Sequence, residues 1–257
     1  MNTPSSSPNS SWLRWASPRN FDALAARLDR PLLVLAVVLA ALGLYWGFWL
    51  APADAVQGES YRIMFLHVPA SWVAMVVYLA MAFWSGVYLV FRTRLSAMMA
   101  QALAPTGALM TLLSLATGSL WGKPTWGTYW VWDARLTSML LLLFLYLGFI
   151  ALTRGVTPAS RADGAGSILA LVGVVNVPII YFSVVWWNTL HQGASISFDS
   201  GVSMHPTMLT ALLLMSAAAW VYAIGIVLGR LRVRILEREA QTDWVGRQYG
   251  DNGVLRT

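Results

Sequence analysis

The chain has 257 residues, 58% of them hydrophobic and only 11% charged, with a formal net charge of +6 and a mean hydropathy of +0.60. A soluble globular domain carries about 25% charged and about 45–50% apolar residues, so an ordinary soluble domain, a disordered chain and a collagen-like repeat are excluded. Cysteine is absent, which removes disulfides, thiolate metal sites, iron–sulfur clusters, cysteine nucleophiles and covalent c-type haem attachment.

In chain order, Met1–Ser11 is rich in Ser, Pro and Asn and is expected to be disordered. Phe21–Leu28 reads as a short interfacial helix. Six apolar stretches then follow, near Leu32–Leu50, Ala70–Phe91, Ala102–Leu120, Leu136–Thr153, Gly166–Trp187 and Pro206–Gly229. Each has the roughly 20 residues that a helix needs to cross a bilayer, and none contains Asp, Glu, Lys or Arg. The segment before the first stretch is too long for a signal-peptide n-region, so this stretch is read as a retained span. In the fifth stretch, Pro178 lacks a backbone N–H and is expected to kink the helix. Asn176 beside it is expected to hydrogen-bond to another helix or to line a pocket. The tail from Arg230 is expected to extend the last span and to fray over Gly246–Thr257.

Six spans put both termini on one side. Arginines before the first span, after the second and fourth, and after the sixth account for all but three of the 17 basic residues. The three on the other side are Arg62, Lys123 and Arg135. The positive-inside rule makes the arginine-rich side cytoplasmic; in a bacterium the opposite side is periplasmic. The expected fold is therefore an all-α integral membrane protein with six transmembrane helices and both termini cytoplasmic. It has a Trp-rich periplasmic loop between helices 3 and 4. Residues 1–30 form a cytoplasmic segment, 31–229 the membrane domain and 230–257 a basic cytoplasmic tail.

The outer loops hold the chemistry-bearing residues. The middle one runs from Trp121 to Arg135 and contains Trp121, Trp126, Tyr129, Trp130, Trp132 and Asp133, with Lys123 and Arg135. Two readings are open: an interfacial aromatic belt, or a platform on which a flat apolar ligand stacks. All three histidines lie in or beside outer loops. His67 precedes span 2, His191 follows span 5, and His205 stands at the start of span 6. Each alone is an unremarkable interfacial polar residue. As a pair, His67 and His191 flank the Trp-rich loop in sequence. Imidazoles ligate iron, aromatic faces cover a porphyrin, and Arg62, Lys123 and Arg135 are the outer cations available as propionate partners.

Other chemistries lose ground. No ionisable side chain lies inside a span, as proton-coupled transport usually requires. The string nearest to a phosphate-binding loop, Gly118–Lys123, has one residue too few between its glycines. The competing readings are the membrane subunit of an ABC-type exporter of haem or another small molecule, and a purely anchoring subunit. A redox enzyme would need electron-transfer partners.

The string Trp121-Gly-Lys-Pro-Thr-Trp126-Gly-Thr-Tyr-Trp130-Val-Trp132-Asp133-Ala-Arg135 resembles the "WWD" motif of haem-handling membrane proteins in cytochrome c maturation. Six spans, with the segments Phe65-Leu-His67-Val-Pro-Ala-Ser-Trp72 and Trp186-Trp-Asn-Thr-Leu-His191-Gln-Gly, are similar to the CcmC family in particular. The resemblance covers roughly Leu32–Gly229. It implies a protein, not an enzyme, that holds haem b at the outer face of the bacterial inner membrane. The haem is presented to the chaperone CcmE, alongside the ABC-type subunits CcmA and CcmB and the small membrane protein CcmD. It also implies that His67 and His191 are the axial ligands. Trp121, Trp126, Trp130, Trp132 and Asp133 become the platform. The propionate role of Arg62, Lys123 and Arg135 comes from charge placement alone.

Overall fold

In lipid the backbone must bond to itself, so long apolar runs fold as helices. A computed structural model describes residues 17–187, 189–191, 196–197 and 201–250. Among these residues, six helices are long and apolar enough to cross a membrane. The helices are α1 (Pro18–Tyr45), α2 (Met64–Phe91), α3 (Arg94–Trp126), α4 (Ala134–Gly155), α5 (Ala159–Gly173), α6 (Asn176–Trp186), α7 (Pro206–Arg238) and α8 (Asp243–Tyr249). A π-helical turn, Trp46–Leu50, ends the first span, and a 3-10 turn, Glu59–Ile63, leads into α2. Two-residue strands β1 (Ile196–Ser197) and β2 (Gly201–Val202) pair antiparallel. The Ser-rich start and the last residues of the tail lie outside the described residues.

Several helices extend past the apolar runs. α1 begins at Pro18, a residue suited to a first helical turn because its missing N–H would be unbonded there anyway. The segment read as a separate interfacial helix, Phe21–Leu28, is therefore the start of the first membrane helix. α7 runs on to Arg238, and α8 follows it, so residues 246–249 are helical instead of frayed. Both helices pass positions 30 and 229 without interruption.

α1 packs on α7, α2 on α3, and α4 on α3 and α5, while α7 also touches α2 and α3. Small residues bring the central helices close: Ala70 and Ala74 on α2, and Ala100, Ala104 and Ala108 on α3, are all buried. The Tyr78 and Tyr146 rings meet edge to face at 5.0 Å. The Tyr146 hydroxyl donates to the Ala74 carbonyl at 2.7 Å, joining α4 to α2.

The fifth span is two helices. Between α5 and α6 the chain makes a tight turn in which the Val177 N–H bonds to the Val174 carbonyl (3.1 Å). Pro178 cannot bond to that carbonyl and its ring would crowd it, which breaks the helix just upstream of the proline. Asn176 is buried at the break and donates to the Ser138 carbonyl of α4 at 2.9 Å. Its side chain thus bonds between helices, the first of its two expected roles.

At the end that holds both described chain ends, the arginines are bonded inward. Arg232 reaches Asp22 (3.2 Å) and Asp29 (2.7 Å) on α1. The Tyr249 hydroxyl of α8 donates to Asp22 at 2.6 Å. Arg238 forms a two-pronged pair with Asp163 of α5 at 2.7 and 2.8 Å, and Gln101 of α3 donates to the same carboxylate at 2.6 Å. Arg230 donates to the buried Thr106 hydroxyl.

Candidate functional site

The opposite end of the bundle is built around His67, in the second turn of α2. Its Nδ1 lies 2.9 Å from the Ser114 carbonyl and 3.2 Å from the Thr117 hydroxyl, both on α3. A carbonyl only accepts, which assigns the ring proton to Nδ1. Neutral His67 then keeps its lone pair on Nε2, the form that ligates a metal. Ser71 donates to the His67 carbonyl (2.8 Å) and shares a 2.6 Å hydrogen bond with the Ser114 hydroxyl. The imidazole thus sits on a small polar seat formed by α2 and α3.

The Trp-rich segment is part helix and part irregular loop. α3 continues through Trp126 and stops at Gly127, whose φ of 79° suits a residue without a Cβ. The Gly127 N–H bonds to the Lys123 carbonyl at 3.0 Å. The chain then runs without regular structure, bending at Tyr129, to Asp133, which caps α4 by accepting from the Leu136 N–H at 2.8 Å. This path brings three of the four tryptophans to one cavity. Trp121 meets His67 edge-on at 5.8 Å and is held by Gln57, which accepts from its indole N–H at 2.7 Å. Trp126 lies 6.0 Å from the His191 ring. Trp130 completes the wall.

The two imidazoles themselves are 6.2 Å apart, centroid to centroid, with planes inclined by 34°. Two imidazoles sharing one metal through bonds of about 2 Å stand about 6 Å apart by the same measure. A cavity of about 60 Å³ opens into a wider recess of about 700 Å³ that is continuous with the surroundings, and its lining includes both histidines, the three tryptophans and Arg135. Two buried polar atoms, Trp130 Nε1 and Asp133 Oδ2, have no hydrogen-bond partner among the described residues. Trp130, a residue of the cavity wall, therefore carries an unspent donor.

The remaining residues singled out in the sequence lie elsewhere. Trp132 is 77% exposed and touches Trp130 edge-on at 5.4 Å. Lys123 is exposed, donates to the Gly127 carbonyl at 3.0 Å and lies over the Tyr129 ring. Arg62 is occupied by Glu59 (2.5 Å) and by the Gly47 and Ala51 carbonyls, against the Phe48 and Tyr61 rings. It clamps the first outer loop to the end of α1. Of the three outer cations, Arg135 lines the cavity. His205 caps α7, its Nδ1 accepting from the Thr207 N–H at 3.3 Å. Sequence reasoning missed Ser114, Thr117 and Gln57. The signal for the first two was a pair of hydroxyl residues three apart in an apolar span.

The fold and site together define a multi-pass helical membrane protein with a paired-histidine, tryptophan-walled cavity at one membrane face. The sequence profile of CcmC, heme exporter protein C, matches residues 11–246. The heme exporter protein C of Bradyrhizobium diazoefficiens is 48% identical over 88% of this chain and 86% of its own length. That of Haemophilus influenzae is 43% identical over 91% and 96%, and that of Escherichia coli 46% over 83% and 86%. The chain belongs to the CcmC family, which handles haem in cytochrome c maturation.

Proposed function

We propose that this chain holds haem b at the periplasmic face of the bacterial inner membrane and presents it to the chaperone CcmE. His67 and His191 are the axial ligands. The observation that carries this reading is the 6.2 Å spacing of the two imidazoles inside a tryptophan-walled cavity. Trp121, Trp126 and Trp130 cover the apolar ring surface, which is worth roughly 25 cal/mol per Å² removed from water. Arg135 and the Trp130 N–H face the carboxylates. Trp132, exposed at the rim, is placed to meet the chaperone, and Asp133 holds the turn that aims both tryptophans.

The role of the chain is to bind and position; the covalent step belongs to haem and the chaperone, so the protein is not an enzyme. CcmA, CcmB and CcmD are its expected partners, with release of one ligand driven through them. The test is an optical spectrum and haem assay on the purified protein, wild type beside His67→Ala and His191→Ala. A low-spin bis-histidine spectrum that both substitutions abolish is the expected result. Full haem content in the double variant would exclude the two histidines as ligands.

A further inference from the structure

The contacts around His67 come almost entirely from one face of α3, and they do more than fill space. The Thr117 hydroxyl donates to the Leu113 carbonyl at 2.6 Å, so its own proton is committed. Its oxygen is left to accept from His67 Nδ1 at 3.2 Å, beside the Ser114 carbonyl at 2.9 Å. Gly118, the next residue, is the floor beneath the ring. A Cβ built there would lie 2.8 Å from His67 Cε1, 3.2 Å from Nδ1 and 3.8 Å from Nε2. The ring therefore lies against α3 by its Cε1–Nδ1 edge, with Nε2 farther from position 118 than either of these atoms. No side chain could be added at position 118 without moving the imidazole.

We infer that Thr117 and Gly118 are positioning residues for His67, fixing the tautomer, the rotation and the donor strength of the imidazole that meets the iron. The inference rests on the ligand role proposed above for His67. The physical link is the Nδ1–H bond. A donor N–H engaged by two oxygens gives the ring partial imidazolate character and makes Nε2 a stronger ligand. A stronger donor favours ferric over ferrous iron, so loss of one of the two acceptors moves the reduction potential to more positive values. Thr117→Val keeps the shape of the side chain and removes one of the two acceptors, leaving the Ser114 carbonyl at 2.9 Å; Thr117→Ser keeps both. Gly118→Ala leaves the hydrogen bonds in place chemically but drives a methyl group into the ring.

The experiment uses the full chain in detergent: wild type, Thr117→Val, Thr117→Ser, Thr117→Ala, Gly118→Ala and His67→Ala. Haem content, rate of haem loss to a scavenging apoprotein and midpoint potential are read, with a melting curve as the folding control. Thr117→Val is expected to fold and bind haem, with a more positive potential and haem loss faster by about 10-fold, the lower end for second-layer partners of metal ligands. Thr117→Ser is expected to match wild type. Thr117→Ala repeats the valine test should valine fail to fold. Gly118→Ala is expected to fold and to lose most of its haem. Unchanged potential and haem loss in Thr117→Val, alongside haem-free His67→Ala, would overturn the positioning role and leave the ligand role intact. A wild-type haem spectrum in Gly118→Ala would overturn the clearance argument. Full haem in His67→Ala would overturn the ligand role and this inference with it.

Discussion

The two ends of the bundle solve opposite problems with opposite chemistry. The end holding both described chain ends is closed by buried ion pairs: Asp163, 5% exposed, with Arg238 and Gln101, and Asp22, fully buried, with Arg232 and Tyr249. The end holding His67 and His191 has an open cavity walled by aromatic rings, and its polar atoms bond locally or, at Trp130 and Asp133, stay unpaired. One end ties its charged groups into helix–helix connections; the other gathers its polar groups around a cavity. Stability and ligand handling are thus placed in different halves of the same helices.

Substitutions at the two ends should separate these properties. The largest effect is expected from Asp163→Ala, which strands Arg238 in a part-buried position. Breaking a buried pair costs about 3–5 kcal/mol, read as a large fall in the unfolding midpoint in detergent. Haem per folded molecule should stay at the wild-type level; a loss in proportion to stability would erase the division between the ends. Asp22→Asn weakens two charged hydrogen bonds that link α1, α7 and α8. About 2 kcal/mol is expected, within the range for bonds to charged groups, and chemical denaturation measures it. The converse test is Trp126→Phe with Trp130→Phe. Loading of the chaperone should fall several-fold while stability changes by less than about 1 kcal/mol, because the rings stay aromatic and half-exposed. Unimpaired loading would favour a simple interfacial belt. The smallest effect belongs to Asn176→Ala, where loss of one interhelical hydrogen bond in a membrane bundle is worth about 0.6 kcal/mol.

How far the sequence could be read differs at the two ends for physical reasons. Apolar runs gave the spans, because lipid demands them. The first helix was drawn too short at Leu32, since hydropathy falls where arginines begin while the helix does not stop; past Gly229 the last helix continues into the tail, as expected. The partners of those arginines were invisible: Asp22 and Arg232 are far apart in the chain, and their pairing depends on α1 lying against α7. Counted for topology, Arg230, Arg232 and Arg238 looked like surface charge. At the other end, His67, His191 and the tryptophan string were legible from composition and from a family resemblance. Their arrangement was not. Two glycines in the string could have ended α3, and only the backbone shows that Gly127 does. That choice separates Trp126 from Trp132 and puts one in the cavity and the other outside. Arg62, equal to Arg135 by charge placement, differs from it because three acceptors, on Glu59, Gly47 and Ala51, lie within its reach.

The break between α5 and α6 has a mechanical meaning. The half before it is riveted to α7 and α3 through Asp163. The half after it, 11 residues long, leads towards His191 and is tied at the break to α4 by Asn176. Torsion at Val174 and Val175 disturbs few regular helical bonds, because Pro178 has already removed one. The fifth span is therefore a jointed lever rather than a rod: displacement of the His191 arm can be absorbed at the joint, and the rivets at the far end need not feel the load.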